Sequence, residues 1–170
     1  MVKNYDKPHY IDIKRDDFTD NKMKDRAIKL TKSILKDELF GVLATSGEDE
    51  CYTSLISFAN EDDLKTLAFA TPIETKKFEM IQANKNVSIL IDNRSSDEKS
   101  INDIAAITCL GQARVLKEKE EIEKWSKTLL NKHSYLDEFI SADTTAIVLV
   151  DISKYYYVTS FQEVIEWSPK

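Results

Sequence analysis

The chain has 170 residues, 42% of them hydrophobic, and 24 Lys+Arg against 30 Asp+Glu leave a formal charge of −6. That length suits one domain around one core, the net acidity argues against general binding to a nucleic-acid backbone, and the longest purely apolar run, residues 146–150, is too short to span a membrane. The three glycines, Gly41, Gly47 and Gly111, are too far apart for a Walker loop or a Rossmann turn, so a bound phosphate must be held by side chains and a helix N-terminus.

Residues 1–21 read as an extended arm with no apolar signal core, and residues 22–170 as the folded domain. A helix is predicted from about Lys22, with Asp20 or Asn21 as its cap and Met23, Ala27, Leu30 and Ile34 as its buried stripe. Strands are predicted over 39–45, 51–59 and 65–70. The turns Ser46-Gly47-Glu48-Asp49 and Asn60-Glu61-Asp62-Asp63 separate them, as in an antiparallel meander. A helix then runs to about Asn84, with Thr71 as N-cap, Pro72 at N1 and Glu74 at N3, the pattern of a capping box.

Beyond it the reading is a strand over 87–92, a polar loop over 93–102 and a longer strand over 104–116. A helix over 117–131 buries Ile122, Trp125 and Leu129, and a short helix is expected over 134–140. Strands over 145–159 and 161–167 end the chain. Consecutive strands with helices set apart predict an α+β domain on an antiparallel barrel or sheet of about seven strands.

Cys51 and Cys109 have no CxxC spacing and read as small buried strand residues in a reducing cytosol. His9 and His133 are isolated, so no zinc spacing exists and no metal is expected; His133 reads as a surface or helix-end histidine. The strongest site candidate is Thr71-Pro72-Ile73-Glu74-Thr75-Lys76-Lys77. A helix N-terminus there offers unpaired N–H groups, Thr71 and Thr75 offer hydroxyls, and Lys76 and Lys77 offer charge, while Glu74 opposes a phosphate. The competing reading is a capped surface helix with two solvated lysines. The strand from Tyr52 to Phe58 presents Thr53, Ser54 and Ser57 to a ligand edge or to solvent. Arg94 binds an anion or pairs with Asp92 or Asp97. In the last strands, alternation places Tyr155, Tyr157, Thr159 and Phe161 on one face, which is ordinary strand packing or a surface for a flat ring. No Ser–His or Cys–His pairing is evident, so triad chemistry has no support.

Taken in order, LFGVLATSGEDECYTSLISFA, FATPIETKKFEMIQANKNVSILIDNRSS, ITCLGQARVL and YYYVTSFQEVIEW resemble the pyridoxamine 5′-phosphate oxidase-like flavin-binding split barrels, over roughly residues 22–167. The resemblance implies a split β-barrel of six or seven strands, a homodimer, and FMN bound non-covalently at the dimer interface. It places the 5′-phosphate on Thr71, Thr75, Lys76 and Lys77, and the isoalloxazine edge along the backbone of Thr53, Ser54, Leu55, Ile56 and Ser57. Arg94 and Trp167 are expected near the ring or a small-molecule substrate. Other branches of the fold accommodate a deazaflavin.

The sequence departs from the oxidase branch in three places. Thr53 stands where that branch has an arginine, Phe58 where it has a lysine, and no histidine follows His133 to make its C-terminal Arg-x-His. The expectation is therefore a cytoplasmic FMN-dependent oxidoreductase of another substrate. The alternatives are a flavin carrier or sensor without turnover, and a haem-binding relative with His9 or His133 as axial ligand.

Overall fold

Period-two burial builds the sheet. In β2 (Phe40–Ser46) Gly41, Leu43 and Thr45 are buried while their neighbours are exposed or half-exposed. In β5 (Asn86–Asp92) Val87, Ile89 and Ile91 are buried in the same way, and in β6 (Ala105–Val115) Ala105, Ile107 and Cys109. The computed structural model describes residues 9–12, 18–94, 104–159 and 163–169, with the backbone alone for 9–12 and 18–21. The loop beyond Arg94, with Ser95, Ser96 and Asp97, and Phe161 lie outside the described residues, as does most of the arm.

The remaining elements are β1 (His9–Asp12), α1 (Phe18–Asp37), β3 (Cys51–Asn60), β4 (Thr66–Pro72), α2 (Lys76–Ala83), α3 (Lys119–Lys132), α4 (Asp137–Ile140), β7 (Thr145–Thr159) and β8 (Glu163–Trp167). A 3-10 turn, Ser134–Leu136, precedes α4. The strands run in the order β1-β8-β7-β4-β3-β2-β5-β6, and β6 pairs again with β7. Six antiparallel strands thus close into a barrel, extended at β7 by β8. The fold is an α+β split barrel. Strand β1, within the expected arm, lies parallel to β8, with His9 opposite Glu163. Helix α1 begins at Phe18, four residues before the expected start, because the helical backbone continues one turn upstream of the capping residues.

Inside the barrel Leu43, Phe58, Phe69, Ile89, Ile107 and Val148 form one core with Tyr155 and Trp167. Helix α1 joins it through Ala27, Ile34 and Leu35, and α2 through Ile81. A second cluster outside the barrel seats Trp125 and Leu129 of α3 on Ala59, Ala68, Ile147 and Leu149. Each such large apolar side chain contributes about 1.5–3 kcal/mol on burial. Cys109 is buried as expected, but Cys51 is exposed, because it opens β3 at the rim beyond the barrel's contacts.

Two backbone features set the ends. Leu64 adopts a positive φ of 61° in the β3–β4 turn. Its buried side chain and its carbonyl, which accepts the Tyr155 hydroxyl at 2.8 Å, hold it there. Between β6 and β7, Leu110 pairs with Lys154 but Gly111 with Ile152, so Ser153 is the extra residue of a bulge, and its hydroxyl donates to Leu110 O at 3.2 Å. Gly111 is required at this crossing: a Cβ would collide with the Asp151 carbonyl oxygen and stand 2.9 Å from Val150 Cγ1.

Candidate functional site

Strand β3 is paired on one side over its first seven residues and on the other only over its last three. Residues 51–57 pair with β2, whereas β4 meets β3 only where Phe58, Ala59 and Asn60 oppose Phe69, Ala68 and Leu67. Beyond that point Ala70, Thr71 and Pro72 follow β7 instead. The hairpin therefore opens, and the second edge of residues 51–57 is unpaired among the described residues. Alternate residues of this edge turn N–H and C=O outward, and such groups need partners. Thr53, Leu55 and Ser57 lie on the outer face, opposite Ala44, Val42 and Phe40. Leu55 is 65% exposed, while Ile56 points into the core. The buried Ser54 Oγ has no hydrogen-bond partner.

Helix α2 starts four residues after the expected position. Thr71 and Pro72 are not its N-cap and N1 residues; they finish β4, opposite Ala146 and Thr145, and the Ile73 N–H extends the ladder to Thr144 O at 2.9 Å. Inter-strand pairing outcompetes the local capping box. Thr75 holds the cap position without a side-chain cap bond, and its hydroxyl donates to Pro72 O at 2.9 Å. With that proton committed, the Thr71 hydroxyl donates to Thr75 Oγ1 at 3.2 Å. The Glu79 N–H is the first to close onto the helix, at Thr75 O, so those of Lys76, Lys77 and Phe78 remain as donors. Glu74 falls in the turn outside the helix, and the acidic residue of the first turn is Glu79.

The two lysines differ. Lys76 Nζ pairs with Glu50 Oε1 at 2.6 Å, which raises its pKa through that hydrogen bond and charge. Lys77 is half-buried, has no ion-pair or hydrogen-bond partner among the described residues, and has its pKa lowered by desolvation. A cation in that state is poised for an anion. The Lys76–Glu50 pair ties the helix start to the residue preceding β3. Asn84 Nδ2 donates to Ser46 Oγ at 2.9 Å, and the Thr45 hydroxyl to Met80 Sδ at 3.5 Å, so α2 docks on the β2–β3 hairpin.

The structure thus brings Thr53–Ser57 and Thr71–Lys77 to one opening of the barrel. Within one chain it does not bring Trp167 there. Arg94 Nε pairs with Asp92 at 2.9 Å, two residues along β5 from Leu90, so it stands toward the Phe40–Ser57 end of the sheet and away from the Ser46 and Glu50 end on which α2 docks. Trp167 is buried, stacked on Tyr155 at 4.5 Å between ring centroids. It pairs with Tyr155, nine residues along β7 from Ala146, the partner of Thr71, which is roughly 30 Å.

His133 is not a surface residue. It caps α3, but the packing of Trp125 and Leu129 drives that end of the helix against β3, and the ring is fully buried. Nε2 lies 2.8 Å from Phe58 O and Nδ1 3.3 Å from the Tyr135 hydroxyl, which meets Ser57 Oγ at 3.3 Å. Both ring nitrogens are committed, so an axial-ligand role would displace one of these contacts and would have to reach a fully buried ring. Tyr135 had no signal in the sequence, because its link to Ser57 spans 78 positions. Among the described residues no helix is long and apolar enough to cross a membrane.

The family model described as Pyridoxamine 5′-phosphate oxidase matches residues 28–159. The chain belongs to the pyridoxamine 5′-phosphate oxidase family. Its fold is similar to a haem-binding protein from Mycobacterium smegmatis, with a TM-score of 0.73 and 14% identity over 84% of this chain and 58% of that one. It is also similar to General Stress Protein 26 from Bacillus anthracis, with a TM-score of 0.59 and 20% identity over 77% of this chain and 92% of that one. A FAD-binding protein from Mesorhizobium loti gives 0.59 and 15% over 74% and 89%. The chain spans little more than half the length of the mycobacterial protein, and identities this low speak to fold alone. No curated protein matches the chain by sequence.

Proposed function

We propose that the protein is a cytosolic, homodimeric flavoprotein that holds FMN at the β3–α2 opening and acts as an oxidoreductase on a small molecule. The observation that carries this reading is the unpaired edge of residues 51–57 standing beside the N-terminus of α2, with the desolvated Lys77, partnerless among the described residues, next to it. The outward N–H and C=O groups of Thr53–Ser57 match the donors and acceptors on the polar edge of an isoalloxazine ring. The free N–H groups at the start of α2, with Lys77 and then Lys76, suit a phosphate. Thr71 and Thr75 contribute by shaping that turn, since their protons are spent within it.

A bound flavin supplies hydride and electron transfer, and the chain's residues bind it, orient it and exclude water. Thr53 and Phe58 place no cation at the strand positions where the oxidase branch has arginine and lysine, so the reading stops short of pyridoxamine phosphate as substrate. Dimerisation is supported by the outer sheet face. The cross-strand row Leu55–Val42–Leu90–Thr108–Tyr156 is exposed or half-exposed, largely apolar, and part of neither core cluster.

The test is the absorption spectrum and mass of the ligand released on denaturation, followed by FMN titration of the stripped protein. The expected results are a two-band flavin spectrum, the mass of FMN and saturable fluorescence quenching. A Soret band, or no flavin and no quenching, would overturn the reading. A deazaflavin mass would correct the cofactor. Rapid reduction of the bound flavin by reduced nicotinamide or a reduced deazaflavin separates an enzyme from a carrier.

A further inference from the structure

We infer that Tyr135 is a ligand-contacting residue of this site and that His133 is its positioning residue. The buried imidazole sets the Tyr135 and Ser57 hydroxyls as hydrogen-bond acceptors toward a ring ligand that presents an N–H or O–H donor. The inference rests on the flavin reading and adds to it two residues outside the β3 and α2 segments.

The proton positions follow from one carbonyl. Phe58 O can only accept, so the imidazole nitrogen 2.8 Å away, Nε2, carries the hydrogen. In the neutral ring Nδ1 then holds a lone pair, and the Tyr135 hydroxyl donates to it at 3.3 Å. With that proton spent, the contact at 3.3 Å between Ser57 and Tyr135 is made by the Ser57 hydroxyl donating to Tyr135 Oη. The two hydroxyls therefore face outward with lone pairs only. Tyr135 is 62% exposed, its ring meets the imidazole edge-on at 5.8 Å, and the exposed Phe40 ring stands 6.5 Å from the same imidazole. An apolar platform with acceptors at its rim suits a planar ring carrying a donor. Ser57 belongs to the same open edge as the rest of the site.

The tautomer is protected. Burial pushes the imidazole pKa down and the Lys132 charge adds to this, while the Phe58 carbonyl opposes it. Lys132 on α3 is the charged group facing the ring, with Asp37 at the end of α1 and Glu38 just after it behind that lysine. From β3 the ring meets the Phe58 main chain, and from the 3-10 turn it meets Tyr135. Protonation would reverse the chain: Nδ1 would donate to Tyr135, and the Tyr135 proton would turn toward Ser57 or the ligand.

The experiment pairs imidazole 15N spectra of the ligand-free protein with FMN titrations of wild type, Tyr135→Phe and Lys77→Ala at pH 7.5 and pH 5.5. The expected spectrum at neutral pH is the neutral ring protonated at Nε2. Tyr135→Phe keeps the ring and should weaken FMN binding about fivefold, the size of one lost hydrogen bond. It should also remove part of the acid-side fall expected of wild type as His133 protonates, which a purely structural titration of His133 would leave in place. A ring that is cationic or protonated at Nδ1 at pH 7.5, or a Tyr135→Phe titration identical to wild type at both pH values, would overturn the inference. If Lys77→Ala alone loses affinity, the flavin reading survives and this one fails. If wild type takes no FMN, the flavin reading and the ligand contact both fall, and the imidazole spectrum still decides the proton arrangement.

Discussion

Replacing Lys77 by alanine separates the phosphate site from its surroundings, because the two adjacent lysines are electrostatically unlike. Lys76 is already paired with Glu50 and largely solvated, so its removal should weaken FMN much less than removal of Lys77. Lys77 has no competing partner among the described residues and is half out of water. A charge-assisted hydrogen bond from such a group contributes about 1.5–3 kcal/mol, so Lys77→Ala should weaken FMN roughly 10- to 100-fold. The assay is fluorescence titration of stripped protein with FMN and with riboflavin, which shares the ring but lacks the phosphate. Riboflavin affinity should be the same in all three proteins. A loss in Lys76→Ala as large as in Lys77→Ala, or a parallel loss of riboflavin binding in Lys77→Ala, would refute the assignment of Lys77 to the phosphate.

Leu90→Asp puts a charge at the centre of the apolar outer row, between Val42 and Thr108, and should convert a dimer to a monomer in size-exclusion chromatography with light scattering. Gly111→Ala drives a methyl into the Asp151 backbone, which cannot yield as a side chain would, and should destabilise by about 1–3 kcal/mol or more in urea unfolding. Burial lowers the Lys132 amine to about 8, although it donates to Leu35 O at 2.6 Å and lies 3.9 Å from the Phe58 ring centroid. Limiting acetic anhydride at pH 8 should acetylate Lys132 ahead of the exposed lysines, as read by peptide mass. The sign for stability follows from proton counts: between pH 8 and about 10.5 the unfolded chain binds more protons at this residue. Wild type should therefore gain stability relative to Lys132→Met as pH rises through that window.

Most of the barrel was legible because its signal is local. Alternation in residues 40–46 and 86–92, and in the second half of β7, exposes the inward face directly, and the Trp125 and Leu129 stripe does the same for α3. The misreadings share a different cause. Thr71-Pro72-Ile73-Glu74 carries a strong capping signal, yet β7 claims Thr71 and Pro72 as ladder partners, and α2 waits until Lys76. His133 does end α3, but the surface alternative fails, and nothing within ten positions shows that Phe58 will lie over it. Within the candidate site, the residue types at Thr53–Ser57 and Thr71–Lys77 were readable. The opening of the β3–β4 hairpin was not, since it depends on where two strands part company in space. The same is true of the Lys76–Glu50 pair that makes the two lysines unequal.

The parted hairpin also creates a hazard for the chain itself. The outward N–H and C=O groups of alternate residues along 51–57 form a template that any extended peptide, including a second molecule in mid-folding, can extend into a growing sheet. The turn that feeds this strand carries three successive acids, Glu48, Asp49 and Glu50, and its open edge is lined by Thr53, Ser54 and Ser57 rather than by a run of large apolar residues. Those charges act as gatekeepers, because two copies approaching edge to edge would bring like charges together at the point of entry. A small molecule seated along the edge would cap it outright. Loss of that molecule would then show first as aggregation, before any change in the fold itself, and occupancy and solubility would rise and fall together.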